Sequence, residues 1–261
     1  MKKTLIALAV AASAAVSGSA MAWTPDFVGN GDVNLGGTLT PQEKVTVWET
    51  QIGPGAQDLN GEIQKGATTA NITVKKAIPF VGIRTKLNTP FAAQYYMSPN
   101  IDYKGAVNMD DASNSETTIT LDVKNKNGER IGTMTAPFYG VGVISWKNHS
   151  NNNDTGASSA YAPDKGKAFF GGVPSDGSKV STDSANLAKR LISDIDAKFD
   201  SQGNEINGVD WVGTANPSST YSGYYAGGIM DQSVIKIKLD QPAEADAIEW
   251  NASLAINIQY N

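Results

Sequence analysis

Apolar and polar residues alternate with a period of two along most of this chain. Val45-Thr46-Val47-Trp48, Asn71–Val74, Thr117–Val123 and Val234–Leu239 alternate or cluster β-branched residues, as half-buried strands do. Ile78–Lys86, Phe138–Trp146 and Tyr221–Ile229 add further strands, several with glycines where a bend would fit. Asn127-Gly128, between Thr117–Lys126 and Arg130–Ala136, predicts a hairpin closed by a type I′ turn, whose central residues both need positive φ. Short strands separated by turn residues argue for an all-β sandwich.

One segment departs from this rhythm. Ala185, Leu187, Ala188, Leu191, Ile192, Ile195 and Phe199 recur at three- and four-residue spacing. They predict an amphipathic helix of about four turns, started by Ser181, Thr182 or Asp183 and ended before Gly203. Between Trp146 and this helix, Lys147–Lys179 reads as a long polar, glycine-rich loop, a length usually reserved for function or disorder.

Both ends of the chain are distinctive. Lys2 and Lys3, the apolar run from Leu5 to Val16 and Ala20-Met21-Ala22 form an export signal over residues 1–22, with a mature start at Trp23. The apolar run is too short to span a bilayer and is cut by Ser13, Ser17 and Ser19. Next comes a one-faced segment in which Phe27, Gly29, Gly31, Val33, Leu35, Gly37 and Leu39 share a side. At the other end, Trp250, Ala252, Leu254, Ile256, Ile258 and Tyr260 alternate with mostly polar neighbours and predict one long strand with a single buried face. Both are either ordinary members of the sheet, or the first serves another molecule by β-strand addition.

Composition narrows the chemistry. The 261 residues include no Cys and one His, so there is no disulfide framework, thiolate site or two-histidine metal centre. The chain carries 21 Lys+Arg and 26 Asp+Glu, and its net charge of −5 argues against a nucleic-acid partner. Without disulfides, the mature chain is still long enough to bury a sufficient core.

An enzyme is not expected. His149 lies in a run of Asn and Ser without a Gly-x-Ser-x-Gly motif or a paired acid. Asp194 and Asp196, two apart on a helix, do not share a face, and Asp110-Asp111 reads as solvated charge. No phosphate-binding loop or EF-hand spacing occurs, Asn151–Asp154 reads as a turn before a calcium site, and no cofactor or metal is expected. Carbohydrate binding is the live alternative. Trp146, Tyr161, Lys165, Lys167, Phe169 and Phe170 stand among many Asn, Ser and Gly residues, although each aromatic also suits core packing.

The sequence resembles the FaeG-like subunits of chaperone–usher fimbriae, the adhesive fibres of enterotoxigenic Escherichia coli. The resemblance rests on Asp26-Phe27, Gly31–Thr40, Trp48, Asn71–Val74, Gly82–Lys86, Val123–Gly128 through Ile131-Gly132, and the block from Ala226 through Trp250 to Tyr260. It thins between about Ser145 and Asn216, and Ala247 stands where other fimbrial families often carry a glycine. It implies an incomplete immunoglobulin-like sandwich over residues 41–261, completed by donor-strand exchange, with an inserted loop and helix at about 146–203. Residues 23–40 would be the donor strand, with Phe27, Val33, Leu35 and Leu39 as its large residues. Trp250, Leu254, Ile256, Ile258 and Tyr260 would line the acceptor groove and the chaperone-contact strand. The implied partners are a periplasmic chaperone, an outer-membrane usher, other copies or related subunits, and a host glycoconjugate. The implied place is a fimbria on the cell surface, reached through the periplasm. If the protein is adhesive, Trp146, Tyr161, Lys165 and Phe169 are the candidate glycan contacts. A minor subunit without an adhesive role and a monomeric secreted carbohydrate-binding module remain alternatives.

Overall fold

The computed structural model describes residues 36–38, 47–93, 97–151, 154–244 and 246–260. The chain forms two compact units, Met1–Glu43 and Lys44–Asn261. In the first, residues 36–38 carry no regular element. The signal segment and the donor-strand residues Phe27, Val33, Leu35 and Leu39 lie outside the described residues.

The second unit is an all-β, immunoglobulin-like fold. Its strands are β1 (Trp48–Ile52), β2 (Thr69–Thr73), β3 (Ile78–Thr85), β4 (Phe91–Ala92), β5 (Pro99–Asp102), β6 (Glu116–Lys124) and β7 (Arg130–Asn148). They continue as β8 (Thr155–Ala160), β9 (Ile206–Asp210), β10 (Ser219–Ile229), β11 (Val234–Leu239), β12 (Asn251–Ala252) and β13 (Asn257–Tyr260), with a helix, α1 (Ser184–Leu191), between β8 and β9. While β5 and β13 pair with each other in a second, two-stranded sheet, β7 organises the main sheet. Its first half pairs with β6 and β11, and β2 lies beyond β11. Its second half pairs with β10 and β8, with β3 and then β1 beyond β10 and β9 parallel beside β8.

The alternation of side chains along β7 gives it two apolar faces. Met134, Ala136, Phe138 and Ile144 enter the main core with Trp48, Ile72, Val81, Ile83, Ile119, Tyr225 and Ile235. Val141 and Val143 face the other way and, with Tyr224 and Ala226, receive Ala188 and Leu191 of α1 and Ile195. The centre of the sheet is therefore covered on both sides, and every residue of 221–230 is buried.

Three local expectations need correction. The hairpin after β6 is not a two-residue type I′ turn: Lys124 still pairs with Arg130, and Gly128 supplies the positive φ of 83° without Asn127. Asn125 decides this, because its Oδ1 accepts hydrogen bonds from the backbone of Asn127 (2.9 Å) and Glu129 (3.0 Å), an Asx arrangement that closes a longer loop. The helix stops at Leu191, about two turns long, and Asp183 gives it no side-chain cap. Beyond it, Ile195, Ala197 and Phe199 bond back to the carbonyls three residues earlier, and these turns keep the apolar spacing of a helix without its geometry. Tertiary bonds fix them: Arg84 donates to the Asp194 carbonyl (2.6 Å), and Lys198 to Glu49 (2.8 Å). Finally, the polar stretch after Trp146 is not one loop. It contains β8 and sends Ala162, Ala168, Phe169 and Val173 into the main core.

Candidate functional site

The C-terminal run is not one continuous strand. β12 pairs with β6, β13 pairs with β5, and Ser253–Ile256 carries no ladder between them. Its sidedness nevertheless holds throughout. Trp250, Ala252, Leu254, Ile256, Ile258 and Tyr260 all pack against the main core, and all six are only half-buried. Tyr260 brings its hydroxyl to 3.5 Å from Thr50 Oγ1 on β1. Among the described residues β1 pairs with β3 alone, and its Ile52 is strongly exposed. The core thus has a rim where apolar side chains are aligned and incompletely covered.

The four candidate glycan contacts do not form one site. Phe169 is fully buried, edge-on to Trp48 at 5.6 Å and stacked on Tyr225 at 5.7 Å. Its φ of 66°, unusual for a bulky residue, turns the ring inward, and Gly142 leaves room for it, since a Cβ there would lie 2.8 Å from the ring. Phe169 is therefore a core residue and presents no face to a ligand. Trp146 is half-buried against the same core and donates its indole N–H to Asp154 (3.1 Å). Tyr161 is half-buried beside Gly177 and Val209. Of the four, Lys165 alone is exposed.

Two surface features escaped the sequence reading. Trp211 is 44% exposed, with the Lys167 ammonium 3.9 Å over its ring. Nothing in its local sequence distinguishes it from a core tryptophan. The second is a cleft of about 600 Å³ that includes Asn100, Asp102, Lys104, Asp110, Lys165, Phe170, Ser175, Asn257 and Gln259 in its lining. Its floor comes from β5 and β13, and its walls from the loop after β5 and the stretch around Lys165. Lys104 donates to Asp102 from its ammonium (2.6 Å) and its backbone (2.7 Å), which holds that carboxyl below its ordinary value. Ser175 and Asp110 are hydrogen-bonded across it.

The acidic pairs weighed as catalytic are occupied structurally. Asp194 binds Arg84 (3.1 Å), Asp196 binds Lys189 (2.9 Å), and Asp111 accepts from Asn108 (2.8 Å). His149 lies within 3.1 Å of Thr220 Oγ1 on the surface. Among the described residues, no three acidic or imidazole groups gather as a metal site, and no helix is long and apolar enough to cross a membrane.

Known proteins match this chain along its whole length. The family profile described as "Fimbrial, major and minor subunit" covers residues 1–261. K88 fimbrial protein AC of Escherichia coli is 33% identical over 291 residues, and K88 fimbrial protein AB of the same organism is 32% identical over 292, each alignment covering all of both chains. F41 fimbrial protein of Escherichia coli is 33% identical over 153 residues, covering 55% of this chain and 54% of its own. Together with the all-β fold, these matches agree with the resemblance carried by the motifs, and the chain belongs to the K88-type family of fimbrial major and minor subunits.

Proposed function

We propose that the protein is an adhesive structural subunit of a surface fimbria, polymerised by donor-strand exchange. Residues 1–22 direct it to the periplasm, where a chaperone holds it until an outer-membrane usher adds it to the fibre. The single observation that carries the assembly reading is the unbroken half-buried row Trp250, Ala252, Leu254, Ile256, Ile258 and Tyr260 along one rim of the main core. An extended segment with Phe27, Val33, Leu35 and Leu39 on one face is the shape of partner that such a row accepts, and strand addition would cover it. Deletion of Trp23–Leu39 should leave a chaperone-bound monomer that forms no fibres in electron micrographs. Normal fibres from that variant would end the donor-strand assignment.

The adhesive half of the proposal rests on the stretch after Trp146, where Tyr161 and Lys165 reach the surface beside a polar cleft. Host glycans are the fitting partner class, and repetition along a fibre would multiply a weak contact. Purified fibres applied to a glycan array should retain at least one glycan family. Retention of none would leave a purely structural subunit.

A further inference from the structure

The cleft floored by β5 and β13 has an arrangement that neither strand possesses alone. The two pair antiparallel, with Asn257 opposite Asp102, Ile258 opposite Ile101, Gln259 opposite Asn100 and Tyr260 opposite Pro99. Because side chains alternate, Ile101, Ile258 and Tyr260 go to the main core while Asn257, Gln259, Asn100 and Asp102 share the opposite face and line the cleft. The insertion is fastened to this floor, since Ile101 N–H donates to the Phe170 carbonyl (2.8 Å).

The polar groups there are incompletely used. Asn100 is nine-tenths buried; its Nδ2 donates to the Ser98 carbonyl (3.0 Å), but its Oδ1 has no hydrogen-bond partner, a costly condition for a buried acceptor. Among the described residues, the side chains of Asn257, Gln259 and Lys165 also make no hydrogen bond. Side-chain amides both donate and accept, which matches hydroxyl groups that do the same. Two carboxylates, Asp102 and Asp110, balance two ammonium groups, Lys104 and Lys165, so the lining favours neither anions nor cations. Half-buried Phe170 offers an apolar patch for C–H groups. The volume is that of a small-molecule site.

We propose that this cleft binds an uncharged saccharide and that it exists as a site only while β13 is docked on β5. The proposal rests on the glycan-binding reading above and deepens it by naming the site and the strand that completes it. One face of β13 would then serve the assembly rim and the other the ligand, so that release of the C-terminal strand empties the cleft.

The test uses fibres of the full chain, with methyl β-galactopyranoside, methyl α-glucopyranoside and N-acetylneuraminic acid as probes in saturation-transfer NMR and calorimetry. At least one neutral glycoside should bind, and the anionic sugar should bind no better. Changing Asn257 and Gln259 together to Ala should weaken that binding by about tenfold, the loss expected for two hydrogen-bonding side chains. Ile258→Ser replaces no residue of the cleft lining, yet it should weaken binding in step with faster amide exchange in β5. Absence of binding by every neutral probe would overturn this assignment, and absence of binding by all three sugars would overturn the glycan reading as well. Neutral binding that survives N257A/Q259A and is lost on Trp211→Ala would overturn the cleft and leave the glycan reading standing. Unchanged affinity in Ile258→Ser, with β5 amides exchanging freely, would overturn the role of β13.

Discussion

β11 and the C-terminal run carry the same signal and meet different fates. In β11, Ile235, Ile237 and Leu239 alternate with exposed residues and are all buried, because the strand lies between β7 and β2. In the C-terminal run, residues of the same kind alternate as cleanly and remain half-buried, held by ladders only at β12 and β13. Alternation tells which face of a strand turns inward. It does not tell whether the interior behind that face is finished, since that depends on how many strands flank it.

The contrast can be broken by mutation. Phe169→Ala should cause the largest loss, about 3–5 kcal/mol, because a fully buried ring leaves a cavity between Trp48 and Tyr225. Urea unfolding measures it, and a loss under 1 kcal/mol would remove Phe169 from the closed core. Ile235→Ala should cost about 3 kcal/mol and Ile256→Ala roughly 1 kcal/mol, the same deletion on a closed and an open face. Equal costs would mean that the rim is as complete as β11.

A third measurement concerns pH. Tyr103 and Tyr225 share a hydrogen bond of 2.6 Å in the closed core, and burial pushes both phenols well above their ordinary value of 10. The folded state then holds its protons longer than the unfolded chain, so this contribution is intact below pH 10 and is lost as pH rises beyond it. Unfolding free energy should fall above pH 10 by about 1.4 kcal/mol per pH unit for each tyrosine concerned, less steeply in the Tyr103→Phe, Tyr225→Phe double variant. A flat profile in both would contradict the burial. The smallest effect belongs to the surface. Glu49, held below its ordinary pKa by hydrogen bonds from Lys198 and then Arg84, is about a third exposed. Glu49→Gln should cost less than about 1 kcal/mol after solvent screening, in a thermal melt at neutral pH. Its contribution is present above the ordinary carboxylate pKa and fades as acid protonates Glu49 in the folded state.

The strands that form the body were legible because their inward residues obey a local rule, and β6, β10 and β11 stand close to where their patterns place them. β8 was not, because Thr-Gly-Ala-Ser-Ser-Ala has neither large apolar residues nor alternation; it is a strand because β7 offers it an edge. The helix was overextended because successive three-residue turns imitate helical spacing. Phe169 was misassigned because a polar neighbourhood in sequence does not reveal a left-handed backbone that turns the ring inward. The cleft was invisible for a different reason: Asn100 and Gln259 become neighbours only through the register of β13 on β5.

That register also sets an order of events in synthesis. Tyr260 lies opposite Pro99, so the partner of β5 is made long after β5 itself and follows it across a membrane if export proceeds from the N-terminus. β5 must wait for it with one edge unsatisfied, and contacts so distant in sequence form slowly because a long loop has to close first. Completion of this sheet therefore comes late, and the growing chain carries an unpaired edge until β13 has been made. A chain truncated before Asn257 should keep that edge, which pulse-labelled hydrogen exchange at Ile101 and Asp102 would read directly.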